Sequence, residues 1–244
     1  MQGAAGCRRT DDLLVPCARG YYPSAMRPES PKHVSSRSSR KWNTEGILLP
    51  ESLTAGECPV DLASIFGNAH PVEVEIGTGK GTFLLARAEA RPEVNFLGIE
   101  WARQYCLYAA DRFRRHGLTN VRMIRADAAR FFRNCVPADS LLHVHVYFPD
   151  PWPKRRHHRR RLIQPGFIEH VRRTLRLGGE LLIVTDHLDY FQHIHRVLEE
   201  ATTLLSVPFP VMADRTGELV GSNFERKYIA QGRAFYSLAC LRWA

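Results

Sequence analysis

From Pro59 onward the chain alternates short apolar runs with helix-like stretches, and that alternation leaves few folds open. The runs "VEVEI", "NFLGIE", "VRMIRAD", "LLHVHVYF" and "ELLIVTD" are rich in β-branched and aromatic residues. Between and after them lie Thr82 to Ala90, Ala102 to Arg115, Ala128 to Asn134, Pro165 to Arg176 and Leu188 to Glu200. Strand and helix in turn predict βαβ units, hence an α/β domain with a mostly parallel sheet and helices on both faces. The stretch "NFERKYIAQGRAFYSLACLRW" has two β-rich runs about Gly232 and predicts an antiparallel hairpin that finishes the sheet.

The first 43 residues lack any such period. "YYPSAMRPESPKHVSSRSSRKW" is rich in Ser, Pro and Arg and predicts a disordered basic tail, with the folded domain occupying 44–244. A solvated tail, an arm touching nucleic acid and a transit segment all remain open for it. More than half of the formal net charge of +9 sits in that tail, and Lys154 to Arg161, with six cations and no acid, outweighs all the rest, leaving the remainder of the chain slightly acidic. Cations without acids gain no i, i+4 pairing and repel one another, so the run implies a polyanion rather than a solvated helix face. Six scattered cysteines with no CxxC pair exclude a disulfide framework or zinc site and predict a reduced, cytoplasmic protein. No apolar run reaches the length of a membrane span. His143, His145, His193 and His195 show no convergent carboxylate in the sequence, so no metal is expected.

Ligands of open α/β sheets bind beyond the carboxyl ends of the strands, and acids stand there. The first strand runs into "VEVEIGTGKGTFLL", where Gly77, Gly79 and Gly81 precede a helix with GxGxG spacing instead of the dinucleotide-binding GxGxxG. Glu75, two residues earlier, would repel a pyrophosphate. It suits a cofactor with cationic or donor groups, and S-adenosylmethionine has an ammonium, a sulfonium and no phosphate. Glu100 ends the second strand, placed to accept ribose hydroxyls. Asp127 ends the third, placed for the adenine amine or a ribose donor, although either acid could instead cap the helix that follows. At the fourth strand end, Asp150 stands between Pro149 and Pro151 on a stiffened edge.

These pieces, "VEIGTGKGTFL", "FLGIE", "YFPDPWPKRRHHRRRL", "LGGELLIVTDHLDY" and "SNFERKYIAQGRAFYSL", resemble the bacterial-type tRNA (guanine-N7-)-methyltransferases over roughly Gly67 to Leu241. The resemblance implies a Rossmann-like class I methyltransferase fold with a seven-stranded sheet, adenosylmethionine as cofactor (adenosylhomocysteine as product) and a guanosine in the tRNA variable loop as substrate. It further implies that Glu75, Gly77, Gly79, Glu100, Asp127 and Asp150 line the cofactor site, with Asp150 also catalytic. Lys154, Asp186 and Ser222, Asn223, Phe224 and Glu225 would bind the substrate. Arg156, His157, His158, Arg159, Arg160 and Arg161 would contact RNA. Ser222 stands where the family usually has Thr. A monomer or homodimer that works with tRNA, and with neither membrane nor metal, is the expected state.

Guanine N7 carries an in-plane lone pair and no proton, so methylation there needs positioning more than a general base. Asp150 is expected to orient guanine or stabilise the positive charge that develops on it. Asp186 or Glu225 would accept from the guanine Watson–Crick edge, and Trp152 offers a stacking surface for a base drawn out of folded RNA. Two alternatives are methylation of an exocyclic base amine, disfavoured because "PDPW" lacks consecutive prolines, and a non-catalytic RNA-binding module that kept the fold.

Overall fold

The computed structural model describes residues 41–55, 59–213 and 217–244. The expected tail therefore lies outside the described residues except at its end, where Trp42 packs edge-on against Tyr108 and the Asn43 N–H donates to Asp111.

Five strands, β1 (Val72–Ile76), β2 (Asn95–Ile99), β3 (Val121–Ile124), β4 (Leu141–Tyr147) and β5 (Leu175–Thr185), run parallel. With β6 (Leu204–Val207) and β7 (Tyr236–Arg242) they form one seven-stranded sheet in the order β3-β2-β1-β4-β5-β7-β6. β7 lies antiparallel to both neighbours. The order reverses between β1 and β4, which opens a crevice beyond their carboxyl ends.

Helices α1 (Ser52–Ala55), α2 (Leu62–Phe66), α3 (Thr82–Ala90), α4 (Arg103–Arg115), α5 (Ala128–Asn134), α6 (Pro165–Thr174), α7 (Leu188–Glu199) and α8 (Asn223–Ala230), with one 3₁₀ segment, complete the described elements. None is long and apolar enough to cross a membrane. Alternation along β1 separates two cores. Val72, Val74 and Ile76 face one layer with Phe131, Phe132, Phe167 and Ile194, while Phe83, Ala109 and Phe113 fill the other with Leu182 and Val184. Glu73 and Glu75 belong to that second face, under α3. Ahead of the sheet, Leu48 forms a parallel bridge with Met123, which covers the outer side of β3.

The sheet ends antiparallel as expected, but the hairpin is made by other residues. Its expected first arm is helix α8, and β7 pairs instead with β6, which precedes α8 in sequence. The cause is local: the Ser222 hydroxyl accepts the Glu225 N–H at 3.1 Å, a side-chain N-cap that starts a helix.

Candidate active site at the carboxyl edge of the sheet

Glycine chemistry shapes the loop after β1. Gly79 holds φ 55° and Gly81 φ 71°, and a Cβ on Gly81 would meet the Phe113 ring at 2.5 Å, so α3 and α4 close on each other only through glycine there. Glu100 then ties the loop to the next strand end: Gly79 N–H donates to Oε2 and Ala102 N–H to Oε1, both at 2.8 Å. Each oxygen keeps a second lone pair. Beneath them, Glu75 is 4% exposed, and its Oε2 has no hydrogen-bond partner. Burial first, and the neighbouring Glu100 charge second, push its carboxyl well above the usual range. An unsatisfied buried polar oxygen costs about 1–3 kcal/mol, and an acid left in that state suits a cationic ligand group. Asp127 is exposed and caps α5, its Oδ1 accepting the Arg130 N–H at 2.9 Å. The capping role is real, and one oxygen is left over. This donor set fits adenosylmethionine: a buried acid with one orphaned oxygen, an acid bridging two backbone amides, and glycine backbone at the rim.

Across the crevice, the chain leaves β4 under strain. Phe148 and Trp152 hold φ 53° and 43°, a region bulky aromatic residues avoid, at a cost of about 1–3 kcal/mol each. Between them Asp150 is exposed, framed by Pro149 and Pro151. The Phe148 N–H donates to Val184 O at 2.7 Å and anchors the loop's entry. Beyond Trp152 the cationic run forms a 3₁₀ segment, Arg155–Arg160, which leaves Lys154, Arg155, Arg156, Arg159 and Arg160 exposed and His157 and His158 half-buried. The Trp152 ring is stacked on His157 at 5.8 Å, and the Arg160 guanidinium lies 5.0 Å from its centre. The expected stacking platform is thus engaged by its own segment.

The family model Methyltransf_4, described as "Putative methyltransferase", matches residues 69–238. A tRNA (guanine-N(7)-)-methyltransferase of Rhodopirellula baltica is 38% identical over 203 residues, covering 80% of this chain and 73% of that protein. One from Alkalilimnicola ehrlichii is 38% identical over 197 residues, covering 81% of each. The chain belongs to the tRNA (guanine-N(7)-)-methyltransferase family. Among solved structures, the 16S rRNA methyltransferase KamB aligns over 72% of this chain and 90% of its own, with TM-score 0.55 and 12% identity. The 30S ribosomal A1408 methyltransferase from an uncultured bacterium covers 75% of this chain and 94% of its own, with TM-score 0.53 and 18% identity. At such identities these two speak for the fold alone.

Within this tRNA (guanine-N(7)-)-methyltransferase family member, several expected substrate residues are turned to other work. Asp186, at the end of β5, is paired with Arg233 at 2.9 Å, and that guanidinium lies 4.5 Å from the Tyr228 ring centre. Glu225 is fully buried and accepts three backbone N–H groups, from Leu219, from Val220 at 3.0 Å and from Gly221 at 2.6 Å. It holds the loop before α8 and has no face toward a base. Ser222 is buried as the cap described above. Asn223 and Phe224 remain exposed. Phe224 and Tyr228 join Phe148 and Phe235 in an aromatic cluster beside the Asp150 loop, which no spacing in the sequence announced.

Arg161 departs most from expectation. Its side chain is 1% exposed, so it cannot reach RNA with its neighbours. Its Nε donates to Pro151 O at 2.9 Å, one terminal nitrogen pairs with Asp189 and approaches His158 Nε2 at 3.0 Å, and the guanidinium lies 4.9 Å from the Tyr190 ring centre.

His143 and His145 are also corrected, for a carboxylate does converge on them. Glu73 Oε2 accepts from His145 at 3.0 Å, and Oε1 lies 3.3 Å from His143 Nδ1. The three residues bring ligand-type atoms within 4.8 Å of one another. Arg91 already donates to Glu73 at 2.9 Å, and Arg87 stands at 3.6 Å, so the carboxylate is saturated by protein groups. Burial would raise the Glu73 carboxyl, but the close His143 ring and the His145 hydrogen bond outweigh it and hold it well below the usual range.

Proposed function

We propose that this protein methylates N7 of a guanosine in the tRNA variable loop, using S-adenosylmethionine and no general base. The observation that carries this reading is the meeting, at the switch between β1 and β4, of a buried acid with one unpartnered oxygen and an exposed Asp150 held between the strained Phe148 and Trp152, in a chain of this family. The methyltransferase domain is assigned to 44–244 and the basic tail to 1–43, with the protein working in the cytoplasm as a monomer or homodimer.

Adenosylmethionine supplies an electrophilic methyl on its sulfonium. Glu75 would take the ammonium, Glu100 the ribose hydroxyls and Asp127 the adenine amine or a ribose donor, while Gly77 and Gly79 let backbone come close. Asp150 lies on the rigid edge where guanine N7 must be presented, and its charge opposes the positive charge that methylation leaves on the purine. Lys154 and the exposed members of Arg156 to Arg160 would hold phosphates, so tRNA affinity falls steeply with salt. Asn223 and Phe224 offer an amide and a ring to the base. Asp186 can accept from guanine once Arg233 lets go. Ser222 and Glu225 serve by fixing the loop that carries them.

The test is to incubate unmodified tRNA with the protein and methyl-labelled adenosylmethionine, then to cleave chemically at 7-methylguanosine and locate the nucleotide. Label in an exocyclic amine, which resists that cleavage, would replace this reading with the amine-methylating one. A single-turnover rate that rises through pH 6 to 8 with tRNA folding unchanged would contradict the absence of a base.

A further inference from the structure

We infer that Arg161 is a positioning residue for Asp150: its guanidinium fixes the span between the loop after β4 and the start of α7, and it is not an RNA contact. The inference rests on the proposed methyl transfer for its kinetic readout.

Two bulky residues in left-handed backbone persist only where their surroundings over-determine them. The entry to the Asp150 loop is fixed by the Phe148 N–H on Val184 O. Its exit is fixed by Arg161, whose Nε holds the carbonyl of Pro151, the residue next to Asp150. The opposite end of the same fork reaches Asp189 in the first turn of α7, just beyond the end of β5. Tyr190, itself fully buried, floors the guanidinium and accepts the Ile163 N–H through its hydroxyl at 3.1 Å. One planar group thus sets the distance between two neighbouring strand ends, the gap a guanine must enter to meet Asp150. A lysine would keep the charge but lacks the flat fork that bonds a carbonyl, pairs with a carboxylate and stacks on a ring at once.

The Arg161→Lys variant separates the roles. A phosphate contact needs only charge, whereas positioning needs the fork. The expected result is a saturated single-turnover rate at least 30-fold lower, with tRNA and adenosylmethionine dissociation constants within threefold of wild type. Hydrogen exchange at the Phe148 amide, whose bond to Val184 O anchors the same loop, should accelerate at least tenfold. Arg159→Ala, from the exposed face, should instead weaken tRNA binding. Asp189→Asn, at a half-exposed site, should slow the rate three- to tenfold, and the double variant should be no slower than Arg161→Lys, as for residues that act as one unit. If Arg161→Lys fails to fold, the rate and exchange of Asp189→Asn decide. A wild-type saturated rate, or a loss confined to tRNA affinity, overturns the assignment. Absence of 7-methylguanosine with wild-type protein would sink the proposed function instead, and exchange at Phe148 would still judge the clamp.

Discussion

Glu73 and Glu75 stand two residues apart on the same face of β1, both buried, and their surroundings leave them in opposite states. Glu73 is ringed by His143, His145, Arg87 and Arg91, and its bonding is finished within the protein. Glu75, nearer the carboxyl edge, has an oxygen with no partner and another acid for a neighbour. On the proposed function, the difference separates an acid that maintains a fold from one left incomplete for a ligand. Burial and residue type are the same for both, so only the count of partners tells them apart.

Replacing Glu73 by Ala should have the largest effect. It strands two arginines and two histidines under α3 and should cost about 3–5 kcal/mol in chemical denaturation, while adenosylmethionine affinity in the folded fraction changes little. Equal loss of cofactor binding would break the contrast. For Glu75→Gln the order reverses: adenosylmethionine affinity by calorimetry should fall about 100-fold, near 2.7 kcal/mol, with stability unchanged or raised because a costly buried acid is gone. Glu225→Gln supplies a third buried acid, satisfied by backbone amides. It should cost about 2 kcal/mol, read as faster hydrogen exchange at 219–221, with the cofactor dissociation constant intact.

The smallest effect is in pH. The raised Glu75 carboxyl is protonated in the free protein over a window above the ordinary glutamate range, and an ammonium ligand needs it ionised. Cofactor affinity should therefore fall, by up to tenfold per pH unit, as pH drops below that raised value. Within the same window the free protein loses stability as pH rises, because the unfolded chain releases this proton first. Glu73, with its carboxyl depressed, contributes stability that is present above the ordinary glutamate pKa and is lost as pH falls through its folded value. Denaturation of the two variants across pH should show these slopes with opposite sign.

Much of the sheet was legible because apolar period and strand-end acids are local signals; α3 and α5 run over the residues expected for them. α8 was misread because aromatic and β-branched residues in "FERKYIA" outweighed a capping signal, Ser222 followed three residues later by Glu225. Phe224 and Tyr228 at i, i+4 carried the helical period. Glu73's two histidine partners lie about 70 residues away, and only the register of β1 against β4 brings them together. Arg161 was hidden among identical cations. In a helix of three residues per turn, however, Arg155, His158 and Arg161 share a side, and the last two do touch. The strand-end acids announce themselves through position, whereas the other side of the crevice depends on packing that brings α8 and α7 to the strand ends.

The bridge between Leu48 and Met123 reaches beyond catalysis. It occupies hydrogen-bonding groups on an outermost strand that would otherwise accept a foreign strand, so the short segment ahead of the sheet works as a guard against self-association. Trimming the chain back to Pro59, where the strand–helix alternation begins, would remove that guard and yield a protein prone to aggregate, with all the strand-end acids in place.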